Sequence, residues 1–584
     1  MWVIPKETRR PSANTLSDLK QIRYILLFLI LSLPFREGVG VGSLSANDTV
    51  YVSGAIDHSG LLEWNPKWHY GSNSYLDFSV HYHSDSNRFH FKELRATTRL
   101  ELTQWPLPGF DDDFAGHGIG HLSLATTFDF GEITVGDVYG QFGSGFILNL
   151  YEERSLGIDG SLRGAKFDLT PYQGIHLTLL GGKQRRFWNC YTDRAWGWNY
   201  TQDAVLGADL ELQIDRWSKR MQELDMSLLF GGSYVSKYQR FDSIFTTTET
   251  GIYVYNVPLW VGAGDVRANW QYKNWDVLVE YAYKANDPCD DNMYSFRPGQ
   301  AFMASLSYSR KGLSVLAQFK HSDNMSFFSS RRAVSNSRLE GRLNLLPMFC
   351  YQHTYALPSI NSYATQYGSG EWAFQTEIRY TFPRKTKMGG RYGTTLQFSA
   401  SHIRGVEKEG SWAIDTRTEG EYYTDIHLAM DKRISKNWWL NAMLMYETMN
   451  FDVTEGSGGL MRAGIAVVDT RVHITDDVAM RAELQYLYTP HYDGQWIFAL
   501  YELSLFRCLT ISGEYMYNIG HGQAPHARAG ADKHFYTASA TYTHGAHRLQ
   551  LGYTKTLDGF NCTGGVCRYV PTMNGLTLSY NFNW

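Results

Sequence analysis

The last stretch of the chain constrains it most. Residues 574–584 read N-G-L-T-L-S-Y-N-F-N-W. Leu576, Leu578, Tyr580, Phe582 and Trp584 share one parity, and Gly575, Thr577, Ser579, Asn581 and Asn583 the other. Successive side chains of a strand point to opposite faces, so this segment reads as a strand with one apolar and one polar face. A soluble sandwich strand can show the same alternation, but it seldom stops on an aromatic residue.

From Val50 onward the two-residue period recurs almost without pause. Ser74–His81 sets Leu76, Phe78 and Val80 against Asp77 and His81, and Thr97–Leu102 sets Leu100 and Leu102 against Arg99 and Glu101. Asp209 and Glu211 alternate with Ala208, Leu210 and Leu212. Glu377 and Arg379 oppose Ile378 and Tyr380, and Arg481 and Glu483 oppose Met480, Ala482 and Leu484. Such segments number about 24 (roughly 22 to 26) at roughly 8–13 residues each, near the length a tilted strand needs to cross an outer membrane.

The connections give an independent test. Gly131-Glu132, Thr170–Gln173, Arg310–Gly312, Lys432–Asn437, Phe506-Arg507 and Gly545-Ala546 are tight. Between them lie long ones, such as Gly140–Gly160, Lys183–Gln202, His321–Glu371 and Asp558–Thr572. If the last strand ends in the periplasm, every long connection falls outside and every short one inside. The expected fold is therefore all-β: a single large antiparallel transmembrane β-barrel with short periplasmic turns and long external loops. No plug domain is expected, because the first strand starts within about ten residues of the mature end, unlike plugged transporters of about 22 strands. The terminal strand resembles the closing strand of bacterial outer-membrane barrels. That likeness makes Tyr580, Phe582 and Trp584 the candidate signal for the insertion machinery.

Composition agrees. A mean hydropathy of -0.34 excludes a helical membrane bundle, which needs repeated apolar runs of roughly 20 residues. Tyr and Trp, at 39 and 17 copies, suit a chain that meets two membrane interfaces. A net charge of -4 gives no reason to expect a nucleic-acid partner. Residues 1–46 stand apart: a basic region with Arg9, Arg10, Lys20 and Arg23, then an apolar run from Tyr24 to Phe35, then small residues. That is the pattern of a secretory signal peptide, with cleavage expected between Ser43 and Ala46 and the barrel taking up 47–584.

One region carries a family likeness. Its marks are Gly109-Phe110 before an acidic loop, Gly118-Ile119-Gly120, Gly136-Asp137-Val138-Tyr139-Gly140-Gln141-Phe142-Gly143-Ser144-Gly145, Tyr151 to Asp159, Arg163-Gly164 and Gly182-Lys183-Gln184-Arg185. This resembles a family of outer-membrane proteins from Bacteroidetes catalogued only as a domain of unknown function. The resemblance implies a barrel and a location. It brings no activity or substrate.

Candidate chemistry is sparse. The Gly140–Gly145 run lacks the Lys-Ser/Thr of a phosphate loop. It reads as a tight bend, or as part of a segment 140–160 that folds inward and constricts the lumen with Glu152, Glu153 and Arg154. Ser144 and Ser161 sit in no nucleophile elbow. His117 and His121, spaced i, i+4 off a helix, read as a solvated loop, as do Asp111–Asp113. Arg185, Arg186, Trp188, Trp196 and Trp198 form an aromatic and cationic loop suited to a sugar or an anionic glycolipid, or to packing at the rim. Of the 6 Cys, Cys562 and Cys567 are the candidate disulfide, with Cys190 to Cys289 or Cys350 a further pairing left open.

The polar face carries both charge signs: Arg99, Glu101, Asp209, Glu211, Glu377, Arg379, Asp425, Arg481, Glu483 and Arg548 are candidate lumen-lining residues. In lipid each would cost several kcal/mol, so they must face water or one another. The mixture predicts weak ion selectivity in an open lumen, or a satisfied polar network in a filled one. Three readings follow. The first is a channel or transporter for a hydrophilic solute, narrowed by inward loops such as 140–160 and 321–370. The second is a non-conducting structural or assembly barrel that binds proteins or glycans through its external loops. The third, an enzyme in the barrel wall, is not expected, and neither is a cofactor or metal. Outer-membrane lipid, lipopolysaccharide and the insertion machinery are the expected partners.

Overall fold

The computed structural model describes residues 48–64, 68–84, 91–110, 114–186, 188, 203–240, 244–248, 251–331, 341–454, 456–491, 493–520, 533–563 and 566–584. The expected leader at 1–46 lies outside them, as do Asp111–Asp113, Cys190, Trp196 and Trp198.

One 24-stranded sheet contains the alternating segments. Each strand pairs antiparallel with the next, and the first, Asp48–Trp64, pairs with the last, Asn574–Asn583. Closure removes the free edges that would otherwise recruit other chains. At the seam the Gly54 N–H donates to the Trp584 carbonyl (3.1 Å), and the Trp584 N–H donates back to the Gly54 carbonyl (3.0 Å). The Trp584 ring lies where a side chain at position 54 would be: a Cβ there would sit 2.2 Å from it. The first two strands are 17 residues each, longer than the expected range.

Residues opposite one another in a ladder share a face, so the lumen parity can be followed around the barrel. Asp77 faces Arg99, Asp209 faces Ser233, Asp425 faces Glu447, and Arg548 faces Asn581. All ten candidate lumen residues fall on this inward parity. The opposite parity shows exposed Leu100, Val135, Leu206, Leu484 and Leu551. A belt of exposed large apolar side chains on that scale suits a hydrocarbon surround rather than water.

The described connections keep most of their short–long phase, with clear departures. Residues 214–225 and 383–393 are long at the end where the other described turns are tight, and at the opposite end Asp48–Trp64 and Trp68–Ser84 stay paired as far as Trp64 and Trp68. The first of these holds the helix Lys219–Glu223, whose start is capped by the Ser218 hydroxyl accepting from the Met221 N–H. The expectation that every long connection lies at one end is corrected accordingly. In the hairpin Gly559–Thr563/Val566–Val570 the backbone register sets Cys562 opposite Cys567; their side chains lie outside the described residues. Cys289, Cys350 and Cys508 are free thiols.

Candidate functional site

Among the described residues, two connections turn into the barrel. Residues 139–161 form two small ribbons, Gly140–Gln141 with Asn149–Leu150 and Glu152–Glu153 with Ile158–Asp159. The described residues of 324–370, between the strands Leu313–Asp323 and Glu371–Phe382, form a longer segment. The two are knitted together: the Asn149 N–H donates to the Leu343 carbonyl (2.7 Å), the Leu345 N–H to the Gly145 carbonyl (3.0 Å), and the Asn344 amide to the Phe146 carbonyl (2.9 Å). Many of their apolar side chains are wholly buried. Phe142, Phe146, Ile147 and Leu148 pack with Met325, Phe327, Leu343 and Leu346 in one cluster with the lumen-facing Val205, Val235, Ala301, Ala373 and Ile403. The lumen thus holds a core built from the chain's own loops.

Buried charges pin this core to the wall. Each of three lysines on inward positions reaches a carbonyl of the inner segment: Lys237 that of Phe328 (2.6 Å), Lys284 that of Ser326 (2.7 Å) and Lys320 that of Pro347 (2.6 Å). Lys237 also pairs with Asp287 at 2.7 Å, and Lys320 with Glu371 at 2.8 Å. From the other inner segment, the Ser144 N–H donates to both oxygens of Glu280 (3.1 and 3.0 Å). Gly143 takes φ +50° beneath that carboxylate, and a Cβ there would lie 2.6 Å from Glu280 Oε1. The tight bend read from the sequence is therefore the seat for Glu280.

The candidate lumen and constriction residues divide by position. Arg99 pairs with Asp77 (2.9 Å) and Glu152 (2.7 Å), and Arg154 with Asp77 (2.7 Å) and Glu152 (2.8 Å). Glu152 and Arg154 are thus locked to the wall, while Glu153 turns to the Ser155 hydroxyl (2.6 Å). Asp209 and Glu211 are joined by Arg267 (2.6 and 2.8 Å). Arg481 bridges Asp469 (3.1 Å), Glu483 and Glu502 (3.3 Å). Asp425 lies between two histidines, His353 (2.7 Å) and His427 (3.2 Å). Glu377 is half-buried, and Arg379 and Arg548 are exposed near the short-turn end.

Arg185 and Trp188 depart from the surface-platform reading. The Arg185 guanidinium is buried between Glu101 (2.5 Å) and Asp159, and the Trp188 indole donates to Glu101 (3.1 Å). They brace the wall, because a buried carboxylate must be paired. Arg186 is exposed. His121 departs from its reading too: it is a buried strand residue stacked on Tyr139. Lys237, Lys284, Lys320, Arg267, Glu280, Asp469 and His353 were missed. Inward parity would have found all but His353.

Burial would raise the Asp159 carboxyl, but the Arg185 and Arg99 guanidinium groups outweigh it and hold the group at about 2. Its neighbour Glu152 moves upward, mainly through burial. A depressed carboxyl stabilises the fold above its unfolded value and loses that contribution as pH falls through its folded one. Asp159→Asn is therefore expected to cost about 2 kcal/mol at pH 6. Denaturant titrations of both proteins should show that difference shrinking between pH 4 and pH 2.

Fold and site together define a closed 24-stranded barrel whose lumen is packed by its own connections. The chain belongs to the family of unknown function DUF6029, whose pattern matches residues 19–584. No curated protein matches it. Among solved structures it is similar to the siderophore receptor PirA from Pseudomonas aeruginosa, at 9% identity over 93% of this chain and 81% of that one, with a TM-score of 0.39. It is also similar to a ferric enterobactin receptor (PfeA) mutant from Pseudomonas aeruginosa, at 7% identity over 93% and 81%, with a TM-score of 0.38. Acinetobacter baumannii OccAB2 matches at 7% identity over 93% and 99%, with a TM-score of 0.35.

Proposed function

We propose that this protein is an outer-membrane barrel passing a hydrophilic solute through a lumen narrowed by its two inward segments. The carrying observation is that the inner core is off-centre. On one side it buries Ser399, Asp425, Glu447 and Asp469 completely. On the other, Ser512, Thr537, Ser539, Gln550, Thr577 and Ser579 are only half-buried, although they occupy the same inward parity. That wall is lined mainly by hydroxyl and amide groups, which wet readily and favour neither ion sign. A cavity of about 350 Å³ lies between it and the inner segment, bounded by Ala356, Ser359 and Ile360 and by Glu514, Met516 and Thr537. A second, of about 130 Å³, adjoins it at Ile360 and Leu557–Gly559. The outward apolar belt faces lipid, lipopolysaccharide covers the long-loop end, and the aromatic terminal strand serves the insertion machinery.

Single-channel recording of the leaderless chain in a planar bilayer tests this. Stable steps with weak ion selectivity are expected. Silence would overturn the reading and favour the non-conducting barrel, for which the large buried core inside the lumen is the supporting observation.

A further inference from the structure

Asp425 and His427 stand two residues apart on the strand Glu421–Ser435, both on the inward parity. His353 is carried to them by the inner segment 324–370. His353 Nε2 lies 2.7 Å from Asp425 Oδ2, and His427 Nδ1 lies 3.2 Å from Asp425 Oδ1. The three side chains are 3%, 0% and 1% exposed. One donor atom from each falls within 4.8 Å of the others. Ligands about 2.1 Å from a shared tetrahedral ion lie roughly 3.4 Å apart, so shifts on the order of 1 Å per atom would complete the set.

Charge balance points the same way. Glu447 is the cross-strand partner of Asp425 and is wholly buried. Among the described residues neither carboxylate has a lysine or arginine partner, and Glu447 Oε1 has no hydrogen-bond partner. Two adjacent carboxylates without a cation are costly in a dry interior. Two neutral imidazoles, one carboxylate ligand and a second carboxylate beside them would balance a divalent ion. Imidazole with carboxylate is the donor set of zinc and ferrous iron, not of calcium or magnesium.

We propose that His353, Asp425 and His427 bind one divalent transition-metal ion, with Glu447 supplying the balancing charge. Because one ligand lies on the inner segment and two on the wall, the ion fastens the lumen core to the barrel. A hydrogen-bonded His–Asp–His chain without metal is the competing account.

The test uses the leaderless full chain in detergent, stripped with a chelator and titrated with zinc chloride, with cobalt(II) as a spectroscopic substitute. Expected are one tight equivalent of zinc per chain, visible cobalt absorption, and a rise in the thermal midpoint on adding zinc. His353→Gln lies on a connecting segment and leaves the strands intact. It should weaken the tight equivalent about 100-fold or more and abolish the thermal shift. Absence of a stoichiometric site in the wild-type chain would overturn the proposal, as would wild-type affinity in both His353→Gln and His427→Gln. The wild-type cobalt spectrum decides the matter even if His427→Gln fails to fold.

Discussion

Replacing residues 324–370 with a short glycine–serine hairpin is expected to raise single-channel conductance several-fold. That segment contributes Met325, Phe327, Leu343, Leu346, Leu357 and Tyr363 to the lumen core. It also supplies the Leu343 carbonyl and Leu345 N–H that hold the smaller inward segment. Removing it widens the lumen directly and frees residues 139–161 from their principal backbone partners. The barrel itself should survive, because its ladders run unbroken from the first strand to the last without help from the connections. Exposing inward Val235, Ala301, Ala373 and Ile403 to water sacrifices burial worth about 1–2 kcal/mol at each larger side chain. Midpoints of unfolding should therefore fall while the β-sheet signal stays. Equal conductance before and after replacement would show that the inward segments do not limit the path. Silence in both would favour the non-conducting barrel.

What the sequence shows is the part of the fold that obeys a local period. The alternation at 574–584, the parity of Arg99 and Glu101 and the tight Phe506-Arg507 turn all follow from neighbours two residues apart. Strand number and closure follow from summing such periods. The lumen core has no period. Phe142, Phe146, Ile147 and Leu148 sit in a glycine-rich run that reads as an ordinary bend, and their partners Leu343 and Leu346 lie about two hundred residues on. No local rule links two segments that meet only inside a closed cylinder. The same reason hides His353. Asp425 and His427 declare a shared face by their spacing, but the third group arrives on a connection whose path is set by packing. Arg185 and Trp188 show the converse error. Aromatic and cationic residues in a loop suggest a ligand, whereas here Arg185 and Trp188 both satisfy the buried Glu101 carboxylate of the wall.

The second large effect is expected at Lys320. Its ammonium is wholly buried, donates to the Pro347 carbonyl (2.6 Å) and lies 2.8 Å from Glu371 Oε1. That approach is an ion contact off the ideal hydrogen-bond direction, and Lys320 is the one ion-pair partner of Glu371 among the described residues. The other carboxylate oxygen accepts from the Tyr363 hydroxyl and from the Gln366 N–H (3.0 Å). Lys320→Met keeps much of the apolar stem but strands Glu371 as a buried charge. Breaking one side of such a pair costs about 3–5 kcal/mol, more than the intact pair contributes relative to apolar groups. Lys320→Met/Glu371→Gln removes the stranded charge and keeps the tyrosine and backbone donors. The double variant is therefore expected to be more stable than the single one by about 2 kcal/mol. Denaturant titration of the folded barrels in lipid vesicles measures both differences. If the single variant lies within about 1 kcal/mol of wild type, the value of an exposed pair, the inner segment does not depend on this contact. Its anchoring would then fall to the apolar core and to Lys237 and Lys284.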